Sequence, residues 1–217
     1  MAVHADGTED RSLILELGET VFNLMVLNVL WALCSIPVVT IGASTTALNY
    51  TCIKLRKDEG DSVVRMFFHS FAANIRQALI LGTGMLAVLI ILSAGLIQMI
   101  GNMLAGKNAY VFAAVALVLL LFLWLLLFAY IFMVLARFDN TLLRTVTNSV
   151  YLIIRNPLKS LKILWIEIML VLVVPYALWT YFPYGFPLVI FFGMPFTAYI
   201  LSREFNEIFD EYIPEDR

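Results

Sequence analysis

The sequence has little charge for its length. Only 14% of its 217 residues are Asp, Glu, Lys or Arg, whereas 62% are hydrophobic. In a soluble domain about a quarter of the residues are charged, because its surface must face water. This composition excludes an ordinary soluble domain and predicts a protein that crosses a membrane several times.

Cysteine and histidine are also scarce. The two cysteines, Cys34 and Cys52, lie in or beside apolar segments without CxxC spacing, so they are predicted to be buried free thiols. The two histidines, His4 and His69, are far apart, and the chain has no HExxH, no GxSxG and no phosphate-binding loop. We therefore expect no enzymatic activity, no metal and no cofactor.

A surplus of basic residues is missing too. The formal net charge is −2, and such a chain lacks the cations that neutralise nucleic-acid phosphates. Nucleic acid is therefore excluded as a partner, and the lipid bilayer is the expected surrounding.

The longest apolar run covers residues 110–136, which include no charged residue. At ~1.5 Å per residue, a helix of this length exceeds the ~30 Å hydrocarbon core of a bilayer. A buried helix of a soluble protein is shorter and usually carries a polar stripe. The run is therefore a predicted transmembrane helix.

Similar patterns predict an all-α transmembrane bundle of one domain, residues 1–217, with about six membrane segments. Residues 38–55 are either a short returning segment, partly extended and partly helical, packed inside the bundle, or a re-entrant loop, which would leave five crossings. A polar tail (1–16), too acidic for a secretory signal, is expected to be retained, and an acidic amphipathic tail (202–217) ends the chain. The predicted segments are 17–36, 38–55, 78–100, 110–136, 163–182 and 188–201.

Two stretches, 54–77 and 137–162, carry apolar residues at helical spacing and are predicted to lie in the membrane interface as amphipathic helices. They align at a fixed offset, which indicates either an internal repeat or a shared amphipathic composition. In that alignment Arg65, Ser70, Ile75 and Arg76 fall on Arg144, Ser149, Ile154 and Arg155. We take the four arginines as candidate functional or packing residues.

Basic residues decide the predicted orientation. Each of the stretches 54–77 and 137–162 holds five Lys or Arg residues, whereas the connection around Lys107 holds one and that around Gly185 none. The positive-inside rule places both basic stretches in the cytoplasm. With six crossings, both termini of this multi-pass protein of the cell membrane are then cytoplasmic.

A few polar side chains fall within the predicted membrane segments. Asn23 and Asn28 interrupt the first, Ser44 and Thr45 belong to a block of small residues, and Glu167 lies one to two turns inside the fifth. The two asparagines either join helices to one another or lie in a substrate path, and the small residues let helices approach closely. Glu167 is either ion-paired or interfacial near Lys159 and Lys162, or functional. All five are candidate functional or packing residues.

The C-terminal tail has an apolar stripe. Phe205, Ile208, Phe209 and Tyr212 follow i, i+3, i+4, i+7 spacing beside an acidic face. Acidic residues disfavour an anionic membrane surface. The stripe is therefore predicted to dock on a cytoplasmic protein or on the basic loops of this chain.

The stretch NVLWALCSIPVVTIGASTTALNYTCIKLRKDEG, with FFHSFAANIRQA and RNPLKSL further on, resembles the YesL-like family of bacterial integral membrane proteins, known as domain of unknown function 624. The family has no established activity and supplies no catalytic residues. Its genes often neighbour those of carbohydrate ABC importers, which implies a role in carbohydrate uptake.

Two functions follow from the sequence and this resemblance. One is a non-enzymatic accessory or regulatory component that works with carbohydrate ABC transporter proteins. The other is a permease or small-solute transporter in its own right, although residues 137–162 lack the Glu-Ala-Ala pattern by which ABC permeases dock on their ATPase. A homo-oligomer is left open.

Overall fold

The computed structural model describes residues 6–59, 62–181 and 186–212, and within these ranges every regular element is helical. The predicted all-α bundle is confirmed. A π-helical turn, Ile168–Val173, joins the sixth helix to the seventh. The helices are α1 (Asp6–Cys34), α2 (Ile41–Arg56), α3 (Val63–Leu104), α4 (Val111–Arg137), α5 (Leu142–Arg155), α6 (Pro157–Glu167), α7 (Val174–Tyr181) and α8 (Phe186–Phe209).

Four stretches of the described chain are long and apolar enough to cross a membrane. They confirm that the chain is a membrane protein, and the predicted central span reappears as α4, which has 27 residues. The four stretches are Leu15–Cys34, Val63–Leu104, Val111–Arg137 and Pro157–Thr180.

Helix α3 differs from its prediction. The amphipathic stretch 54–77 and the span 78–100 were expected to be separate, but Val63–Leu104 is one helix of 42 residues. No proline interrupts it, and at ~1.5 Å per residue it is about twice as long as the hydrocarbon core is thick. Residues 63–77 of the amphipathic stretch and the predicted span 78–100 are therefore parts of one continuous helix.

Helix α2 is the innermost element of the bundle. It has 16 residues, most of which are buried, including Ala43, Ser44 and Thr45. Packing inside the bundle is as predicted, but the segment is not partly extended, because a short 3₁₀ turn at Val38–Thr40 leads directly into the helix. Its length of about 24 Å is shorter than the hydrocarbon core.

Both ends of the chain are more helical than predicted. Helix α1 begins at Asp6, within the expected polar tail, and α8 continues through residue 201 to Phe209. The last span and the C-terminal amphipathic helix are therefore one element. Residue 213, the predicted end of that helix, lies outside the described residues.

Helix α5 turns its apolar stripe outward. Leu143 and Ile154 are 75% and 73% exposed, whereas Thr145, Ser149 and Leu152 are buried against the bundle. A helix with this arrangement presents its apolar side to the surroundings, as an interfacial helix does in a membrane. This agrees with the amphipathic helix predicted within 137–162.

Candidate functional site

A cavity of about 210 Å³ lies between α2, α4, the π-helical turn and α8. Its walls are mostly apolar, with a few polar residues among them. Concave, mostly apolar cavities with a small number of polar groups are typical small-molecule sites. The lining residues are Thr45, Leu48, Asn49, Trp124, Leu125, Phe128, Ala129, Phe132, Met133, Glu167, Val171, Met194, Thr197, Ala198 and Leu201.

Glu167 is the one ionisable residue of this lining, as far as the described residues go. It is only 5% exposed, and its Oε2 atom has no hydrogen-bond partner in the described part of the chain. A buried polar atom without a partner is costly, and a buried charge costs more. Such a group in a membrane protein makes Glu167 a candidate site residue.

The backbone beside Glu167 is irregular. Glu167 ends α6, and the π-helical turn Ile168–Val173 begins at the next residue. Single π-turns inside α-helices are rare and frequent at functional sites, because the wider turn redirects the side chains next to it. Val171 of this turn also lines the cavity.

Three further polar residues line the cavity. Thr45 accepts a hydrogen bond from Trp31 Nε1 at 3.2 Å, and Thr197 donates one to the Gly193 carbonyl at 2.8 Å. The amide of Asn49 is contributed by α2, on the same wall as Thr45. Both threonine hydroxyls thus already serve internal contacts, and the cavity offers few polar groups to a solute.

One wall is aromatic. Trp124, Phe128 and Phe132 are spaced four residues apart on α4, with ring centroids 5.3 Å apart for the first pair and 4.7 Å for the second. The Trp124 Nε1 donates to the Met85 carbonyl on α3 at 3.0 Å, which fixes the indole. The three rings therefore form one aromatic wall of the cavity that Glu167 also lines.

A second cavity of about 190 Å³ shares part of this wall. Trp124 and Phe128 line both cavities, and the remaining described lining of the second comes from α3, the 3₁₀ turn at Val38–Thr40 and the start of α2. Two aromatic side chains thus separate two adjoining spaces inside the bundle.

A comparison with family models matches residues 24–96 to a family described as a protein of unknown function, DUF624. Residues 24–96 are therefore similar to the DUF624, or YesL-like, family. The resemblance seen in the sequence is thereby confirmed. Neither the search of curated proteins nor the search of solved structures found a match.

The DUF624 match covers one side of the cavity. It includes α2, which contributes Thr45 and Asn49, and ends within α3. Glu167, Trp124 and Thr197 belong to later helices, beyond the matched residues. The site is therefore built jointly by the DUF624 segment and the C-terminal half of the chain.

The structure distributes the other predicted residues differently. Ser44 is fully buried and donates to the Thr40 carbonyl, while Asn28 is buried on α1. Asn23 borders a separate groove that also includes Glu19 and Asp58. The candidate arginines are exposed, and none is among the described residues that line the cavity beside Glu167. They are Arg65, Arg76, Arg144 and Arg155.

The C-terminal apolar stripe is covered by the chain itself. Phe205, Ile208 and Phe209 are fully buried, and Phe205 packs edge-on against Tyr130 of α4 with ring centroids 4.7 Å apart. Tyr212 is 37% exposed. The three buried residues therefore do not form an exposed docking surface for another protein. They pack on this chain instead.

Ion pairs hold the same end of α8. The acidic residues at this end and in the turn that follows it meet lysines of the α2–α3 connection and of α6, at what we call the basic end of the bundle. Arg56 also donates to the Tyr199 carbonyl at 2.6 Å and lies over the Tyr199 ring. The pairs are Lys57–Asp210 at 3.2 Å, Lys159–Glu211 at 2.6 Å and Lys162–Glu204 at 2.8 Å.

Of the polar and aromatic residues at this cavity, Glu167 and Thr45 were predicted from the sequence, whereas Asn49, Trp124 and Thr197 were not. One signal was available: Trp124 lies at the middle of α4, whereas tryptophan in membrane helices is enriched at the two interfaces. A mid-span tryptophan thus marks an interior contact. Nothing in the sequence distinguishes Thr197 from other threonines.

Proposed function

We propose that the protein is a non-enzymatic membrane protein that binds a small solute in the Glu167 cavity and takes part in its passage across the membrane. One observation carries this proposal: a carboxyl group with an unpartnered oxygen is buried beside a cavity within the helical bundle. Ionisable groups are retained inside membranes chiefly where they serve a solute, ion or proton path.

Two further features support passage rather than mere binding. The adjoining cavity gives a second space on the other side of Trp124 and Phe128. The helix that carries Glu167 is interrupted by a π-turn, and interrupted helices are common at the solute sites of transporters. The geometry therefore favours the small-solute transporter over the accessory component, of the two functions that the sequence predicts.

The accessory role in carbohydrate ABC uptake stays a prediction that rests on the family resemblance. A separate experiment tests this role: ABC transporter components should be recovered with the protein when it is purified in mild detergent. The same purification, followed by light scattering, reports the oligomeric state.

Cysteine accessibility tests the cavity without knowledge of the solute. In a background with Cys34→Ala and Cys52→Ala, a Thr197→Cys variant places a thiol on the cavity wall. We expect methyl methanethiosulfonate to label it in detergent at least about tenfold faster than the matched control Thr46→Cys, since only a wetted thiol ionises and reacts. Thr46 is fully buried, adjoins Thr45 and does not line the cavity.

Equal labelling rates for Thr197→Cys and Thr46→Cys in folded protein would contradict the proposal, because the cavity would then be closed to solutes. Folding is checked by size-exclusion chromatography and thermal unfolding of both variants. An Ala198→Cys variant gives a second position on the same wall.

A further inference from the structure

We propose that the solute of this cavity is a small organic cation, of the ammonium class, that pairs with the carboxylate of Glu167. The inference rests on the proposed function and adds the chemical class of the solute. It comes from three properties of the cavity: its charge, its aromatic wall and its shortage of hydrogen-bonding groups.

The charge of the lining is unbalanced. Glu167 is acidic, and the described lining contains no Lys, Arg or His. The nearby cations of α6 are engaged elsewhere, because Lys159 and Lys162 pair with Glu211 and Glu204 at the basic end. A carboxyl group in a low-dielectric interior stays protonated unless a cation lies close by to stabilise the carboxylate. In this cavity the solute supplies that cation.

The aromatic wall suits an organic cation. Trp124, Phe128 and Phe132 lie side by side on α4 and line the same space as Glu167. An ammonium group is attracted to the faces of such rings, and the attraction grows when water is excluded. Its methyl or methylene groups fit the aliphatic remainder of the lining, such as Leu48 and Met133.

A sugar or a bare metal ion fits less well. A monosaccharide carries a hydroxyl on nearly every carbon, and each buried hydroxyl needs a partner. Here Thr45 Oγ1 already accepts one hydrogen bond and Thr197 Oγ1 already donates one, so the lining offers too few groups for every hydroxyl of a sugar. A metal ion needs several oxygen ligands around one point, whereas this space of about 210 Å³ is walled mostly by carbon.

Reagent charge tests the proposal in the Thr197→Cys variant. We compare trimethylammonioethyl methanethiosulfonate, a cation, with sulfonatoethyl methanethiosulfonate, an anion, each normalised to its rate with a free thiol in water. A carboxylate nearby should favour the cation at least about tenfold. The ratio of the two rates cancels any effect of Glu167 on the ionisation of the new thiol.

Glu167→Gln is the matched variant, because it keeps the shape of the side chain and removes the charge. We expect the rate ratio to fall to about one there, and a Glu167→Asp variant to retain the preference. A preference for the cation that is unchanged in Glu167→Gln, or no preference in the Thr197→Cys protein, overturns the proposal.

Protection identifies the solute class directly. Tetramethylammonium chloride should slow labelling of Thr197→Cys by neutral methyl methanethiosulfonate, and the slowing should disappear in Glu167→Gln. Sodium chloride and glucose at equal concentrations are the comparisons. Protection by glucose or by sodium equal to that by tetramethylammonium overturns the ammonium class in favour of a sugar or a metal cation.

The two proposals fail in different ways. If Thr197→Cys is labelled no faster than Thr46→Cys, the cavity is closed and the proposed function is wrong. If it is labelled fast but without charge preference or protection by tetramethylammonium, the cavity is open and only the cation class is wrong.

Discussion

Gly42 of α2 and Gly82 of α3 face each other where the two helices cross. A β-carbon on Gly42 would lie 3.0 Å from the Cα of Gly82 and 2.5 Å from the carbonyl oxygen of Ala78. Both neighbours are backbone atoms, so they cannot move aside as a side chain can. The two helices therefore meet backbone to backbone, as small residues permit in membrane bundles.

This contact makes Gly42→Ala destabilising. The added methyl group forces α2 and α3 apart, and overpacking of this kind costs about 1–3 kcal/mol. We expect a lower midpoint of thermal unfolding in detergent. Gly84→Ala is the control, because no described residue outside the adjoining turns of α3 comes within 4 Å of a β-carbon there. That variant should unfold at the same temperature or slightly higher.

Burial of the C-terminal stripe predicts that it stabilises the bundle. Phe205→Ser and Phe209→Ser each remove a fully buried ring, and such losses cost about 3–5 kcal/mol. Thermal unfolding in detergent measures the effect, with Tyr212→Ser as a milder control because Tyr212 is partly exposed. If both phenylalanine variants stay as stable as the parent but lose a co-purifying protein, the stripe serves an external partner instead.

The ion pairs of α8 differ in burial, and their contributions should differ accordingly. Glu204 is 7% exposed and pairs with Lys162 at 2.8 Å, whereas Glu207 is 52% exposed and lies 3.6 Å from Arg203. Glu204→Gln should destabilise by about 1.5–3 kcal/mol, and Glu207→Gln by less than about 0.5 kcal/mol. Thermal unfolding of the two variants at the same salt concentration measures this difference. Equal shifts of the unfolding temperature would contradict the prediction that the buried ion pair contributes more.

Orientation in the membrane follows from the basic residues. In the background without native cysteines, Glu59→Cys lies beside the basic residues of the α2–α3 connection, and Lys107→Cys lies between α3 and α4. If the basic end is cytoplasmic, an impermeant maleimide applied to intact cells labels Lys107→Cys and spares Glu59→Cys until the cells are permeabilised. The reverse pattern would invert the topology.

The sequence by itself determined that this protein belongs in a membrane, and it determined much of the secondary structure. Long uncharged runs have no stable place in water, so α4 and the membrane character could be predicted from residues 110–136 alone. Period and polarity also indicated the amphipathic α5 and singled out Glu167, because a carboxyl group in an apolar run stands out against its neighbours.

Only the tertiary structure decided which segments are continuous and what surrounds each side chain. From the sequence, the stripe that includes Phe205 and Phe209 was expected to dock on another surface. In the structure both side chains are buried, and Phe205 packs against α4. The cavity brings Thr45, Trp124, Glu167 and Thr197 together from four separate parts of the chain. Periodicity indicates which face of a helix is apolar. Contacts between residues far apart in sequence decide which helix packs against that face and where a cavity remains.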